Sequence, residues 1–124
     1  MQLSQLLRLQ LFYALLGVLF NILSWQFMMN GNRPLTPTIP LVGIIVMMIY
    51  SLCILPGYFN KLRLYRGLML VSIILLSYGG IIKHFIGLNQ TPELYYSYLS
   101  GIIGVLINIF GFVLNLLAVL GKFR

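Results

Sequence analysis

Acidic side chains are almost absent from this sequence. Its 124 residues include one acid, Glu93, no aspartate, one cysteine, Cys53, and one histidine, His84. A Ser-His-Asp triad would lack its aspartate, and a catalytic pair of carboxylates would lack its second member. An intrachain disulfide would lack its second cysteine. We therefore expect a protein that is not an enzyme.

Charge of either sign is also scarce. Charged residues make up 7% of the chain, whereas soluble domains contain about 25%. Hydrophobic residues make up 60%, and the mean hydropathy is +1.01. A water-soluble fold of this size would need more polar surface, and the apolar stretches are continuous rather than alternating. The composition predicts an all-α integral membrane protein, whose helices need about 20 apolar residues each to cross a bilayer.

Turn-forming residues divide the apolar sequence into four segments. The breaks fall at 30–34, at 56–57 and at 87–90, and Gly121 ends the last segment. Pro40 is expected in the first turn of the second helix, and Thr91 is expected to cap the fourth helix ahead of Pro92. The sequence predicts one domain, 1–124, a compact bundle of four transmembrane helices with short loops. The predicted helices span about 6–28, 38–55, 64–86 and 92–120.

The distribution of basic residues predicts the orientation of the bundle. Six of the eight lysines and arginines fall at the two termini and in the loop between the second and third helices, and two fall on the opposite side. Because cytoplasmic loops carry an excess of lysine and arginine, both termini are predicted to be cytoplasmic. The cytoplasmic-side residues next to the second and third helices are also candidates for contact with anionic lipid headgroups: Lys61, Arg63 and Arg66.

Small and polar residues recur every three or four positions on the first and fourth predicted helices, and we call this pattern the seam. A 3.5-residue repeat keeps one helix face against a partner, small residues let backbones approach, and amides form hydrogen bonds between helices. With Gly17 level with Asn108 in an antiparallel pair, Gln10 lies level with Asn115. The seam is expected to be packing contact, with a polar path as the alternative. Its residues are Gln10, Gly17, Asn21, Ser24, Gly101, Gly104, Asn108, Gly111 and Asn115.

The remaining chemical groups are few and scattered. Lys83, His84 and Glu93 are predicted near the outer face, with an ion pair from Glu93 to Lys83 or Arg33. Cys53 is predicted near the inner end of the second helix, too far from His84 and Glu93 to share a metal ion. We therefore expect no metal and no cofactor. The basic residues form no stripe, so no nucleic-acid partner is expected.

These observations predict a class of protein rather than a specific activity. We expect a non-enzymatic protein of a bacterial inner membrane, the bacterial source being inferred from the compact, tail-free chain. It would act through helix–helix contacts, as a homo-oligomer or as an accessory subunit that supports the cell envelope or a membrane complex, and its partners would be lipids or other membrane proteins. The alternative is an oligomeric small-solute transporter or channel. A lipid-modifying enzyme is the third and least favoured class, because acid–base groups are nearly absent.

Overall fold

A computed structural model describes residues 1–124 and contains α-helices but no strands. Four helical rods are long and apolar enough to cross a membrane. The third rod, Leu62–Gln90, consists of two α-helices joined by a π-helical turn, Tyr78–Ile82. The α-helices are α1 (Leu3–Met29), α2 (Pro40–Tyr58), α3 (Leu62–Ser77), α4 (Lys83–Gln90) and α5 (Tyr98–Leu120).

The four rods pack as a bundle in which α1 contacts α2 and α5, and α3 contacts α5 and α2. The buried core is a single cluster of eleven residues: Leu6, Leu7, Tyr13, Ala14, Met47, Tyr50, Ile54, Tyr65, Met69, Leu114 and Ala118. Large apolar side chains also cover the outside of every rod. An apolar exterior of this kind is rare in soluble monomers and is typical of a surface that contacts lipid. The chain therefore has the fold of a multi-pass helical bundle.

The two ends of the bundle differ in what they carry. We call the end with both chain termini and residues 59–61 the terminal end, and the end with segments 30–39 and 91–97 the loop end. At the terminal end, the backbone N–H of Leu3 donates to the carbonyl of Arg124, and the N–H of Arg124 donates to the carbonyl of Met1. These bonds hold the first and last residues side by side.

The second rod begins and ends later than the sequence predicts. It starts at Pro40 rather than at residue 38, and it continues through Pro56 to Tyr58 rather than ending at residue 55. Proline removes one backbone donor from a helix. Here that loss falls in the last turn, and Phe59 and Asn60 close the end by donating to the carbonyls of Leu55 and Gly57. The helix therefore ends three residues, about one helical turn, after its predicted end at residue 55.

The last rod begins at Tyr98 rather than at residue 92. Pro92–Leu94 form only a short 3-10 turn, after which Tyr95 is extended. The hydroxyl of Ser97 accepts from the N–H of Ser100 at 3.0 Å, and the hydroxyl of Ser100 accepts from the N–H of Ser97 at 3.1 Å. This reciprocal pair satisfies two free donors at once and so sets the helix start. Glu93 is therefore outside α5.

Candidate functional site

A polar cluster in the interior of the bundle, toward the terminal end, joins all four rods. Gln10 Nε2 donates to Asn115 Oδ1 at 3.1 Å, which links α1 to α5. The hydroxyl of Tyr65 donates to Gln10 Oε1 at 2.5 Å, and that of Tyr50 donates to Asn115 Oδ1 at 2.5 Å. All four side chains are buried, with exposed fractions of 3% or less. Because an unpaired amide is costly away from water, each partner keeps the others satisfied, and we call this set the four-rod cluster.

The two tyrosines of the four-rod cluster are absent from the sequence prediction. Tyr50 lies within the predicted second helix and Tyr65 at the start of the predicted third, and neither belongs to the seam. The seam predicts Gln10 and Asn115 at the same level, and the structure places them in contact. Tyrosine hydroxyls normally find a partner when they are buried. The sequence feature that could have predicted this cluster is therefore a tyrosine on the second and on the third helix, at the level of an amide on the first or the fourth.

A second polar contact involves the π-helical turn. Asn108 Nδ2 donates to the carbonyl of Gly104 at 3.0 Å within α5 and to the carbonyl of Gly80 in the π turn at 3.3 Å. Its Oδ1 accepts from the hydroxyl of Tyr13 at 2.9 Å. A Cβ at Gly80 would overlap the Asn108 amide. The glycine therefore permits the close approach that this bond needs.

The structure distributes the seam over several helix interfaces rather than one. Gly17 faces Met47 of α2, and Gly101 faces Leu88 of α4. Gly104 lies against Thr36 and Phe20, and Gly111 lies against the ring of Tyr13. Gly17 and Asn108, expected at the same level, have other nearest partners: Met47 for the first, and Tyr13 and Gly80 for the second. A 3.5-residue repeat shows that a face is packed but does not show which of three neighbours packs on it.

The segment between α1 and α2 is folded into the loop end of the bundle. Leu35 and Thr36 are 5% and 4% exposed, unusually low for residues between helices. The N–H of Leu35 donates to the hydroxyl of Ser24 at 2.9 Å, and its carbonyl accepts from the hydroxyl of Ser100 at 2.7 Å. The seam residue Ser24 thus binds this segment instead of α5.

His84 lies beside this segment, near the loop end, and its side chain is buried at 7% exposed. Its Nε2 is 3.1 Å from the hydroxyl of Thr38, and its Nδ1 is 3.0 Å from the hydroxyl of Tyr95, which also lies 3.3 Å from the His84 carbonyl. A neutral ring protonated on Nδ1 satisfies all three contacts. Burial raises the pKa of the Tyr95 phenol, so its hydroxyl keeps its proton and donates to the carbonyl.

The π turn determines which side of the third rod carries His84. Such a turn accommodates one extra residue, which rotates everything after it by about one residue step, roughly 100°. Lys83 remains exposed and His84 turns inward. Glu93 is exposed in the 3-10 turn and pairs with neither Lys83 nor Arg33.

A cavity of about 420 Å³ lies between α2 and α3 and reaches toward α1 and α5. Its inner wall includes Met47, Tyr50 and Gly104, which are buried. Its rim is formed by side chains that are about half exposed on the outside of the bundle: Val42, Ile49, Val71 and Leu75. The cavity therefore opens sideways, through the surface that faces lipid in a membrane protein. Volumes of about 300–1,000 Å³ are typical of small-ligand sites.

Two polar groups in this cavity keep unused hydrogen-bonding capacity. Asn21 Nδ2 donates to the carbonyl of Gly17 at 2.7 Å, which leaves Oδ1 without a donor from the protein. Thr36 is 4% exposed, lines the cavity, and its hydroxyl forms no hydrogen bond with the protein. The one fully inaccessible side-chain oxygen without a partner belongs to another residue, Ser77. Ligand-binding capacity therefore remains at the loop end of the cavity.

The basic residues of the terminal end do not form one group. Arg66 Nε and Nη2 donate to the carbonyl of Val119 at 3.0 and 2.7 Å, so its guanidinium caps the last turn of α5. Lys61 and Arg63 are exposed. Cys53 is a free thiol on the wall of the cavity, distant along the bundle from His84 at the loop end.

Comparison of the chain with protein-family profiles, with curated protein sequences and with solved structures finds no match.

Proposed function

We propose that this protein is a non-enzymatic, multi-pass protein of a bacterial inner membrane that acts by binding other membrane components. It works as a homo-oligomer or as an accessory subunit that supports the cell envelope or a membrane complex. The observation that carries this proposal is the four-rod cluster, in which Gln10, Tyr50, Tyr65 and Asn115 bond to one another. Groups that satisfy each other hold helices together and offer nothing to a reacting substrate.

The distribution of apolar surface supports the same proposal. Half-exposed leucines, isoleucines and valines occur on every rod, while the charged side chains are at the ends. In a membrane such an exterior contacts lipid tails or the apolar faces of other helices. The exposed cations Lys61 and Arg63, with the C-terminal residues, lie at the end that we assign to the cytoplasm.

The alternative function, an oligomeric transporter or channel for small solutes, is favoured by one observation. Asn21 and Asn108 both line the cavity, so some amides of the seam face open volume. Asn115 does not line it and is 1% exposed. A continuous polar path through the bundle would need all three amides in contact with water, so we rank this function second.

Cysteine accessibility distinguishes the two functions. Cysteines are placed singly at positions 21, 108 and 115 in a Cys53→Ala background, and the protein in vesicles is treated with a water-soluble, membrane-impermeant thiol reagent. The binding function predicts protection at all three positions. Rapid labelling at all three positions would favour the transporter or channel and would contradict the proposal that the protein acts by binding other membrane components. A Gln26→Cys variant, at an exposed position near the end of α1, is the positive control for the reagent.

Native mass spectrometry from membrane lipids tests the assembly itself. We expect a defined oligomer or a complex with another membrane protein. A monomer that carries no protein partner under conditions that preserve known membrane complexes would contradict the proposal.

A further inference from the structure

The cavity between α2 and α3 is elongated along the bundle axis. It is lined by Leu68 near the terminal end and by His84 near the loop end. These residues lie on one rod, so at 1.5 Å per residue they are about 24 Å apart along the axis. A volume of about 420 Å³ spread over that length is narrow. Such a shape matches a linear hydrocarbon chain better than a fused-ring molecule.

The lining changes in character from one end to the other. Toward the terminal end it is formed mainly by apolar side chains, such as Leu68, Val71 and Ile49. The hydroxyls of Tyr50 and Ser72 also line this half, and they already donate to Asn115 Oδ1 and to the carbonyl of Leu68. The unused polar groups, Asn21 and Thr36, belong to the half nearer the loop end. An amphiphilic ligand whose head points toward the loop end would place its head beside these polar groups and its hydrocarbon chain beside the apolar side chains.

No charged side chain lines the cavity. A phosphate, carboxylate or ammonium head would therefore lose its hydration without gaining an opposite charge, which is costly in a low-dielectric site. An uncharged head that carries hydroxyl or carbonyl groups loses less, because the Asn21 amide oxygen accepts a hydrogen bond and the Thr36 hydroxyl both donates and accepts.

We propose that this cavity is a binding site for a single-chain amphiphile with an uncharged, hydrogen-bonding head group. The chain enters sideways between Val46 of α2 and Leu75 of α3, and the head rests against Asn21 and Thr36. Because the rim is open to the bilayer, the ligand is taken from the membrane rather than from water. This inference requires only that the rim stays open to the bilayer, whichever partner the protein has.

The test uses 1-palmitoylglycerol as the probe and native mass spectrometry of the full chain as the readout. We expect one probe molecule per chain. Val46→Trp fills the cavity, and its matched control is Ile45→Trp, the neighbouring residue of α2, which is 46% exposed and does not line the cavity. The first change should reduce the bound fraction about tenfold or more, and the second should leave it unchanged.

A second matched pair covers the case in which Val46→Trp fails to fold, as judged by helical circular dichroism. Leu75 lines the cavity and Ile74 does not, yet they are 65% and 63% exposed. Leu75→Trp should block the probe and Ile74→Trp should not. Equal loss in both members of a folded pair, or no bound probe in the unmodified protein, would overturn the proposal.

The head-group preference is tested separately. Thr36→Val keeps the side-chain shape and removes the hydroxyl, and we expect it to weaken binding of 1-palmitoylglycerol about threefold to tenfold. Thr91→Val, at a position outside the cavity, should have no effect. Hexadecylphosphocholine, which has the same chain length and a zwitterionic head of phosphate and ammonium groups, should bind more weakly than 1-palmitoylglycerol. Equal binding of the two probes would overturn the assignment of an uncharged head. A dimer that seals the cavity and excludes both probes would overturn the ligand site and show that a second copy of the chain covers the cavity.

Discussion

Gln10 and Asn115 are hydrogen bonded across 105 positions of the chain, with Nε2 of the first 3.1 Å from Oδ1 of the second. Neither side chain is more than 1% exposed. The bond joins the first rod to the last, and Tyr50 and Tyr65 add the second and third.

Replacement of Gln10 by leucine should destabilise the bundle. The change leaves the hydroxyl of Tyr65 and one bond of Asn115 without partners, at a cost of about 2–3 kcal/mol. The measurement is the free energy of unfolding in mixed micelles of detergent and denaturant. Gln26→Leu, on the exposed side of α1, is the control and should change stability by less than about 0.5 kcal/mol. Equal stability of the two variants would show that the four-rod cluster contributes nothing.

Two glycine-to-alanine changes should have opposite signs. A Cβ at Gly111 would overlap the ring of Tyr13, whereas a Cβ at Gly67 would meet open space. Gly111→Ala should therefore destabilise by about 1–3 kcal/mol through overpacking. Gly67→Ala should stabilise by about 0.5–1 kcal/mol, because alanine loses less backbone freedom in a helix. Thermal unfolding of both variants in the same detergent provides the comparison, and a stabilised Gly111→Ala protein would show that Tyr13 does not pack there.

The start of α5 can be located by removing caps. Ser97→Ala removes half of the reciprocal pair with Ser100 and should cost about 1 kcal/mol. Thr91→Ala should cost less, because the Thr91 hydroxyl bonds only to the Gly87 carbonyl in the turn before it. Amide hydrogen exchange at residues 98–101 reads out the fraying directly. Faster exchange in the Thr91 variant than in the Ser97 variant would place the helix start at Pro92 instead.

Tyr95 should matter more than its neighbour. Tyr95→Phe removes the hydroxyl that contacts both Nδ1 and the carbonyl of His84, and we expect a loss of about 1–2 kcal/mol. Tyr96→Phe, at an exposed position, is the control and should be close to neutral. The readouts are thermal stability and the tautomer-sensitive ¹⁵N chemical shifts of the His84 ring. An unchanged His84 spectrum in the Tyr95 variant would remove the basis for this contact.

The sequence contains enough information for the four rods but not for their contacts. Long apolar segments bounded by turn formers predict the rods, because each must span a fixed thickness. The same patterns say little about the cavity, since its lining residues come from four rods and from the connection between the first two. The position of His84 depends on the π turn, and neither Gly79 nor Gly80 signals an extra residue in advance.

The ends of the rods show the same limit on a smaller scale. Proline and glycine at 56–57 predict a helix end, yet Pro56 lies within the last turn of α2, which continues to Tyr58. Thr91, Pro92 and Glu93 form a convincing helix start, but Ser97 and Ser100 satisfy the free donors better. Local signals of this kind compete, and the outcome depends on contacts such as the bond from the Ser100 hydroxyl to the carbonyl of Leu35, 65 positions away in the chain.

The four-rod cluster also has a consequence for the order in which the protein is made. Gln10 is synthesised first of its four members, and its partner Asn115 follows 105 residues later. At about 5–20 residues per second, the delay is on the order of 5–20 s. During that delay the Nε2 group of Gln10 lacks the acceptor that it has in the folded protein, Asn115 Oδ1. The nascent chain therefore needs an interim partner for α1, from the insertion machinery, from lipid headgroups or from water, until the last rod arrives.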